Sequence, residues 1–190
     1  MSCDPDAIRR EVESRLSPER FRHTLGVVES AMELCDRFGG DKEKALVAAL
    51  LHDVAKEYSK DRLLNEALQF GIILSDIERR QAVLIHAPLG AAIAEREFGV
   101  TDKDTLAAIR YHTTGRRGMS LLERIVFLAD CIEPGRSFPG VEELRQKART
   151  SLDEAVLLAL DRTIAHLLER GLLIHPDAVA ARNELIMARG

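Results

Sequence analysis

The chain has 190 residues, 46% of them apolar, 31% charged and 4% aromatic, with a formal net charge of −4 and no tryptophan. That length fits one domain with a single core, and charges interspersed with apolar residues exclude a disordered chain. The negative balance excludes a general nucleic-acid-binding surface, and no apolar run approaches the ~18 residues of a membrane span.

With few aromatics, Leu, Ala, Ile and Val must fill the core, a palette suited to packed helices. The first residues are acidic and polar and do not read as a signal peptide. Asp4-Pro5 reads as a helix N-cap with proline at the first helical position, and Ser17-Pro18-Glu19 repeats that signal. From there a long helix is predicted to Phe38, with Leu25, Val28, Met32 and Cys35 at helical spacing. Gly39-Gly40 stops it and Asp41 caps the next. Residues 44–55 are nearly all apolar until His52-Asp53, the mark of a buried helix. Ser59 or Asp61 starts another, which ends at Gly71.

Ser75 opens a short helix towards Val83, and Pro88 begins the helix that ends at Phe98-Gly99. Thr101 or Asp102 caps a helix reaching His112. Residues 113–118 form a polar loop, after which Ser120 caps the apolar stretch Leu121–Ile132. Glu133-Pro134-Gly135 breaks that helix, and Pro139-Gly140 closes the loop. Two or three helices finish the chain, one from about Leu152 to Arg170 and one from Pro176. No segment alternates as a strand would. The expected architecture is all-α: one domain over 1–190, its core about 18–135, with C-terminal helices 141–188 packed on it. Cys3, Cys35 and Cys131 are odd in number and lack CxxC spacing, so they read as reduced thiols of a cytoplasmic protein, Cys35 and Cys131 in the core.

Six histidines are present. A single histidine on an apolar helix is ordinarily a satisfied core side chain, and His166 and His175 are read that way. The other four differ in context. His52-Asp53 follows ALVAALL, Asp130 interrupts IVFLADCI, His86 ends AVLIHAP and His112 ends AAIRYH. Ionisable groups in such surroundings cost several kcal/mol without partners. A cation bound by imidazole and carboxylate, such as iron, manganese, zinc or magnesium, is a suitable partner. Helix ends that each deliver one such side chain are how a buried site is built in a bundle.

The order His23 … His52-Asp53 … Asp130 resembles the H…HD…D signature of the HD phosphohydrolase superfamily. The strings RHTLGVVESA (22–31), KALVAALLHDVAK (44–56), HAPLGA (86–91), AIRYHTTG (108–115) and MSLLERIVFLADCIEPGR (119–136) narrow the likeness. They are similar to the bacterial YqeK-type family, the HD-domain symmetrical diadenosine tetraphosphatases. Other branches fit less well. The GYP signature of the cyclic-di-GMP branch is absent, and Val54-Ala55-Lys56-Glu57 replaces the Glu-Asp of the guanosine tetraphosphate hydrolases. The nucleoside monophosphatases usually lack the second-metal histidines.

The resemblance implies a helical bundle around a buried pair of metal ions. Iron is favoured, and manganese or another transition metal is admitted. His23, His52, Asp53 and Asp130 match the core ligands, His86 and His112 those of the second metal, with Asp53 bridging. The implied reaction is attack by a metal-bridging hydroxide on diadenosine tetraphosphate, giving two ADP. Asp53, Lys56 and His112 form the implied catalytic set. Lys56, His86, Thr113, Thr114, Gly115 and Arg136 are expected to bind substrate: the cations on phosphate, the Thr-Thr-Gly loop through hydroxyls and backbone N–H groups. A homodimer is left open. Two other readings share these residues: hydrolysis of another nucleotide ester, and a nucleotide-binding module without turnover.

Overall fold

Helix-start signals are dense in this chain, and nearly all of them are used. In a computed structural model, residues 4–189 are described; Cys3 lies outside them. Eleven α-helices and no strand occur among the described residues: α1 (Pro5–Arg15), α2 (Pro18–Phe38), α3 (Lys42–Leu51), α4 (Lys60–Gln69), α5 (Asp76–Arg80), α6 (His86–Arg96), α7 (Lys103–Tyr111), α8 (Leu121–Ile132), α9 (Val141–Ala148), α10 (Leu152–Glu169) and α11 (Pro176–Met187). Asp4, Ser17, Asp41, Ser59, Asp102 and Ser120 each accept a hydrogen bond from a first-turn N–H, so the caps at 59 and 102 are the ones adopted. Gly39 ends α2 in the left-handed conformation at φ 82°.

Two boundaries differ from expectation. The helix opened by Ser75 stops at Arg80, and a 3₁₀ turn, Ala82–Ile85, carries the chain onward. Pro88 does not begin α6, which starts at His86 and so places the proline third. The first N–H groups of a helix have no intrahelical partner, so a proline is tolerated there.

The buried helix α3 lies against α1, α2 and α7, while α8 packs on α2, α7 and α10. Leu50, Leu51, Ile85, Leu89, Ile109, Ile125 and Leu128 are among the large side chains of the core. The helices α9 and α11 flank α10. Cys35 is buried, but Cys131 is only half-buried against the core, short of the core placement expected. Among the described residues no helix is long and apolar enough to cross a membrane. The result is a helical bundle whose central helix, α3, ends inside the protein just before His52 and Asp53.

Candidate metal centre

Three histidines are placed by one local device. His52 follows the end of α3, His86 the end of the 3₁₀ turn and His112 the end of α7. In each case ring Nδ1 meets the carbonyl three residues earlier: Ala49 at 2.7 Å, Val83, and Ile109 at 2.7 Å. A helix end leaves its last carbonyls without partners. A carbonyl only accepts, so each Nδ1 carries the proton and each Nε2 presents a lone pair. The fourth histidine is placed differently. His23 lies within α2, and its Nδ1 donates to Glu133 Oε1 at 3.1 Å, from the turn after α8.

The Nε2 atoms converge on Asp53, which is 2% exposed and divides them in two. Its Oδ2 faces His52 at 3.5 Å and His23 at 3.7 Å. Its Oδ1 faces His86 at 3.2 Å and His112 at 3.6 Å. Asp130 joins the first half, with Oδ1 3.1 Å from His23 Nε2. In the second half the Nε2 atoms of His86 and His112 stand 3.1 Å apart. Lone pairs so close repel unless a positive group lies between or beside them. Lys56 Nζ is 3.2 Å from His86 Nε2, and Thr113 Oγ1 is 3.1 Å from His112 Nε2.

Three buried side-chain polar atoms among the described residues lack a hydrogen-bond partner: His23 Nε2, His52 Nε2 and Asp53 Oδ1. All three belong to this cluster. Buried polar groups are nearly always satisfied, so three orphans pointing at one place call for an absent partner. Two triads, His23–His52–Asp130 and His52–Asp53–His112, each bring their ligand atoms within 4.8 Å of one another. Imidazole and carboxylate donors at that spacing suit transition-metal ions. The residues present therefore fit metal ions, and the cluster suggests them.

Electrostatics separate the two halves. Burial works against the Asp53 carboxylate, yet the His52 field and contacts with His112, His52 and His86 hold its pKa well below the ordinary value. For Asp130, burial is likewise outweighed, by His23, His52 and Arg136. Burial also opposes charge on His52, but Asp53, Asp130 and the Ala49 carbonyl raise its pKa. His86 goes the other way: burial, aided by Lys56 and His112 and opposed by Asp53, lowers it to about 4.

Cations neutralise the acids. Arg20 Nη1 is 3.0 Å from Asp53 Oδ2, Lys56 Nζ 3.7 Å from Asp53 Oδ1, and Arg136 Nη2 2.5 Å from Asp130 Oδ1. Arg20 is not among the residues that the sequence singles out. Its only signal is its place one helical turn before His23, on the same face of α2. Glu133 is buried and accepts from Gly135 N at 2.6 Å as well as from His23. It reaches His23 because position 26 is glycine: a Cβ there would stand 2.6 Å from Glu133 Oε2. Arg145 donates to the carbonyls of Ile132, Glu133 and Arg136 and so fixes that turn.

Of the other residues singled out in the sequence, Thr113 is at the cluster, and Thr114 lines the cavity next to it. Thr114 Oγ1 donates to Gly115 O, and Gly115, at φ 63°, packs towards Met119 and Ala181. His166 is exposed. His175 caps α11, accepting from Asp177 N.

Fold and site together define an all-helical protein with a buried His/Asp cluster suited to metal ions. The HD domain model matches residues 20–135, more than half of the chain, and the protein belongs to that family. It is 44% identical over 176 residues to the "Bis(5'-nucleosyl)-tetraphosphatase, symmetrical" of Halalkalibacterium halodurans, covering 93% of this chain and 94% of that one. It is 41% identical to the protein of the same name from Bacillus subtilis, covering 92% and 94%. A crystal structure from Clostridium acetobutylicum, described as a predicted HD superfamily hydrolase involved in NAD metabolism, superposes with a TM-score of 0.94 at 39% identity. The match covers 97% of this chain and 98% of that one.

Proposed function

We propose that this chain is a metal-dependent hydrolase that splits diadenosine tetraphosphate symmetrically into two ADP. His23, His52 and Asp130 would hold one metal ion and His86 and His112 a second, with Asp53 shared between them. The observation that carries the metal site is the convergence of four Nε2 atoms on one buried carboxylate, with three orphaned atoms among them. The substrate rests on the names of relatives that match more than nine-tenths of the chain. Iron, or manganese in its place, is consistent with the donors.

The reaction adds one water to the bond between the two inner phosphates. Water oxygen joins one inner phosphorus, and the bridging oxygen leaves with the departing ADP. Bound metal ions supply acidified water and neutralise phosphoryl charge. The chain's own residues do the rest. Nδ1–carbonyl bonds hold His52, His86 and His112 in the ligating tautomer, and Glu133 does so for His23. Arg20, Lys56 and Arg136 lie on the carboxylates of the metal-free cluster. Once cations occupy it, their donors are available to a polyphosphate, since Asp53 and Asp130 already offset part of the metal charge. Thr113 Oγ1, beside His86 and His112, donates to a phosphoryl oxygen in the same region.

Incubation of the iron- or manganese-loaded protein with diadenosine tetraphosphate, with nucleotides resolved by chromatography, tests the proposal. ADP as the sole nucleotide product is expected. AMP together with ATP would mean asymmetric cleavage and would overturn it.

A further inference from the structure

Two cavities adjoin the cluster, one through Thr113 and the other through His23, and their walls differ. One, of about 330 Å³, is lined by Leu84, Pro88, Arg110, Tyr111 and Thr113, near neighbours in the chain of His86 and His112, and by Ile73. The other, of about 700 Å³, contains His23 and the guanidinium groups of Arg20, Arg22 and Arg136. Leu25 and Pro134 are its apolar side chains, no aromatic ring lines it, and Glu19, Glu29 and Glu133 share its wall.

We propose that the first cavity holds one nucleoside of the substrate and that the cavity of Arg20, Arg22 and Arg136 holds phosphates, with no pocket that reads the second base. This rests on the hydrolase reading above. A nucleobase is flat and apolar on its faces, and pockets for such ligands combine apolar and aromatic walls with a few polar groups. The first cavity has that composition: aliphatic Leu84 and Pro88, the Tyr111 ring, and Ser75, Glu78, Arg110 and Asp177 as polar partners. Ile73 is 90% exposed, an apolar side chain at the rim of a cavity beside a buried polar cluster, which a bound base would cover. The second cavity offers guanidinium forks, which match phosphate oxygens, and no stacking surface. A chemically symmetric substrate is thus bound in an asymmetric groove, anchored by one end.

Adenosine 5′-tetraphosphate separates one base from two. Its hydrolysis between the second and third phosphates gives ADP and pyrophosphate, consuming one water. Its KM is expected to lie within about tenfold of that for diadenosine tetraphosphate, since a tenfold change is ~1.4 kcal/mol and only unread contacts are lost. A KM raised by more than about tenfold would show that the second nucleoside is read and would overturn the proposal.

ADP binding, measured by calorimetry without turnover, tests the cavity itself. Ile73→Asp, at an exposed position where folding is not at issue, and Leu84→Arg, which fills the space, are expected to weaken ADP about tenfold or more. Bound metal per chain stays as in the parent protein. Unchanged ADP affinity in both variants would overturn the assignment. Failure of the parent protein to form ADP from the dinucleotide would instead contradict the hydrolase reading.

Discussion

One half of the cluster rests wholly on local anchors, whereas the other pairs the locally anchored His52 with a distantly anchored His23. His52, His86 and His112 are each anchored on a carbonyl of their own helix end, three residues back. His23 is anchored by Glu133, 110 positions away, in a turn held by Gly135 N and by Arg145. The first arrangement is local and survives as long as the helix does. The second depends on the packing of α2 against α8 and on the space that Gly26 leaves. A metal held by the His23 half is therefore more exposed to disruption from outside the cluster than one held by the His86 half.

The halves share one residue, and the largest effect belongs to it. The oxygens of Asp53 serve both sides. Asp53→Ala is expected to abolish hydrolysis, by about a thousandfold or more, and to lower bound metal at both positions. His166→Ala, on the exposed face of α10, should change neither. Elemental analysis beside a turnover assay checks this, and wild-type turnover in the Asp53 variant would refute the site.

Glu133→Gln strikes one half only. Removing a carboxylate behind a ligating histidine typically costs 10–100-fold in metal affinity, and an effect of about that size is expected at the His23 position. The His86–His112 position keeps its backbone anchors, so a titration of the metal-free variant should show one site weakened and one intact. Equal weakening of both would mean that the halves do not differ in their support.

The halves also differ in their protons. His86 is lowered to about 4 in the metal-free protein, first by burial and then by Lys56 and His112, against Asp53. An unfolded histidine titrates near 6.5. Between those values the unfolded chain binds the extra proton, so this residue's contribution to stability is intact above about pH 6.5 and is lost as pH falls towards 4. NMR of the imidazole should show Nδ1–H and no titration near pH 6.5; an ordinary titration there would contradict the buried, neutral state.

The smallest effect lies away from the cluster. Asp102 caps α7 and pairs with Lys44 at 2.8 Å, and that pair, with the Thr105 contacts, outweighs burial and holds its pKa at about 2. Asp102→Ala should cost about 1 kcal/mol in denaturant unfolding. Its folded pKa is depressed, so the contribution is present above the ordinary carboxylate range and lost as pH falls through about 2. His86 and His112 should bind metal as before.

What is legible in the sequence follows the same division between local and distant. Caps are local, and Ser17, Asp41 and Ser120 announce their helices because their side chains bond to N–H groups two or three residues on. The histidines at helix ends are legible because an ionisable residue after an apolar run needs a partner that the run itself does not supply. The start of α6 is not, because proline tolerates any of the first positions and the 3₁₀ turn before it has no composition of its own. Arg20 escapes a reading of the sequence because its partner, Asp53, is 33 residues away. Adjacency groups Thr113, Thr114 and Gly115; Thr113 and Thr114 share a cavity wall, and Gly115 is the left-handed residue at which the chain turns.

The proposal that one buried carboxylate joins two metal positions of unlike construction is tested most directly by diffraction at a metal absorption edge, from crystals of the loaded protein. Two anomalous peaks about 3.5–4 Å apart are expected, one beside Asp53 Oδ2 with His23, His52 and Asp130, the other beside Oδ1 with His86 and His112. A single peak, or none beside His86 and His112, would contradict it.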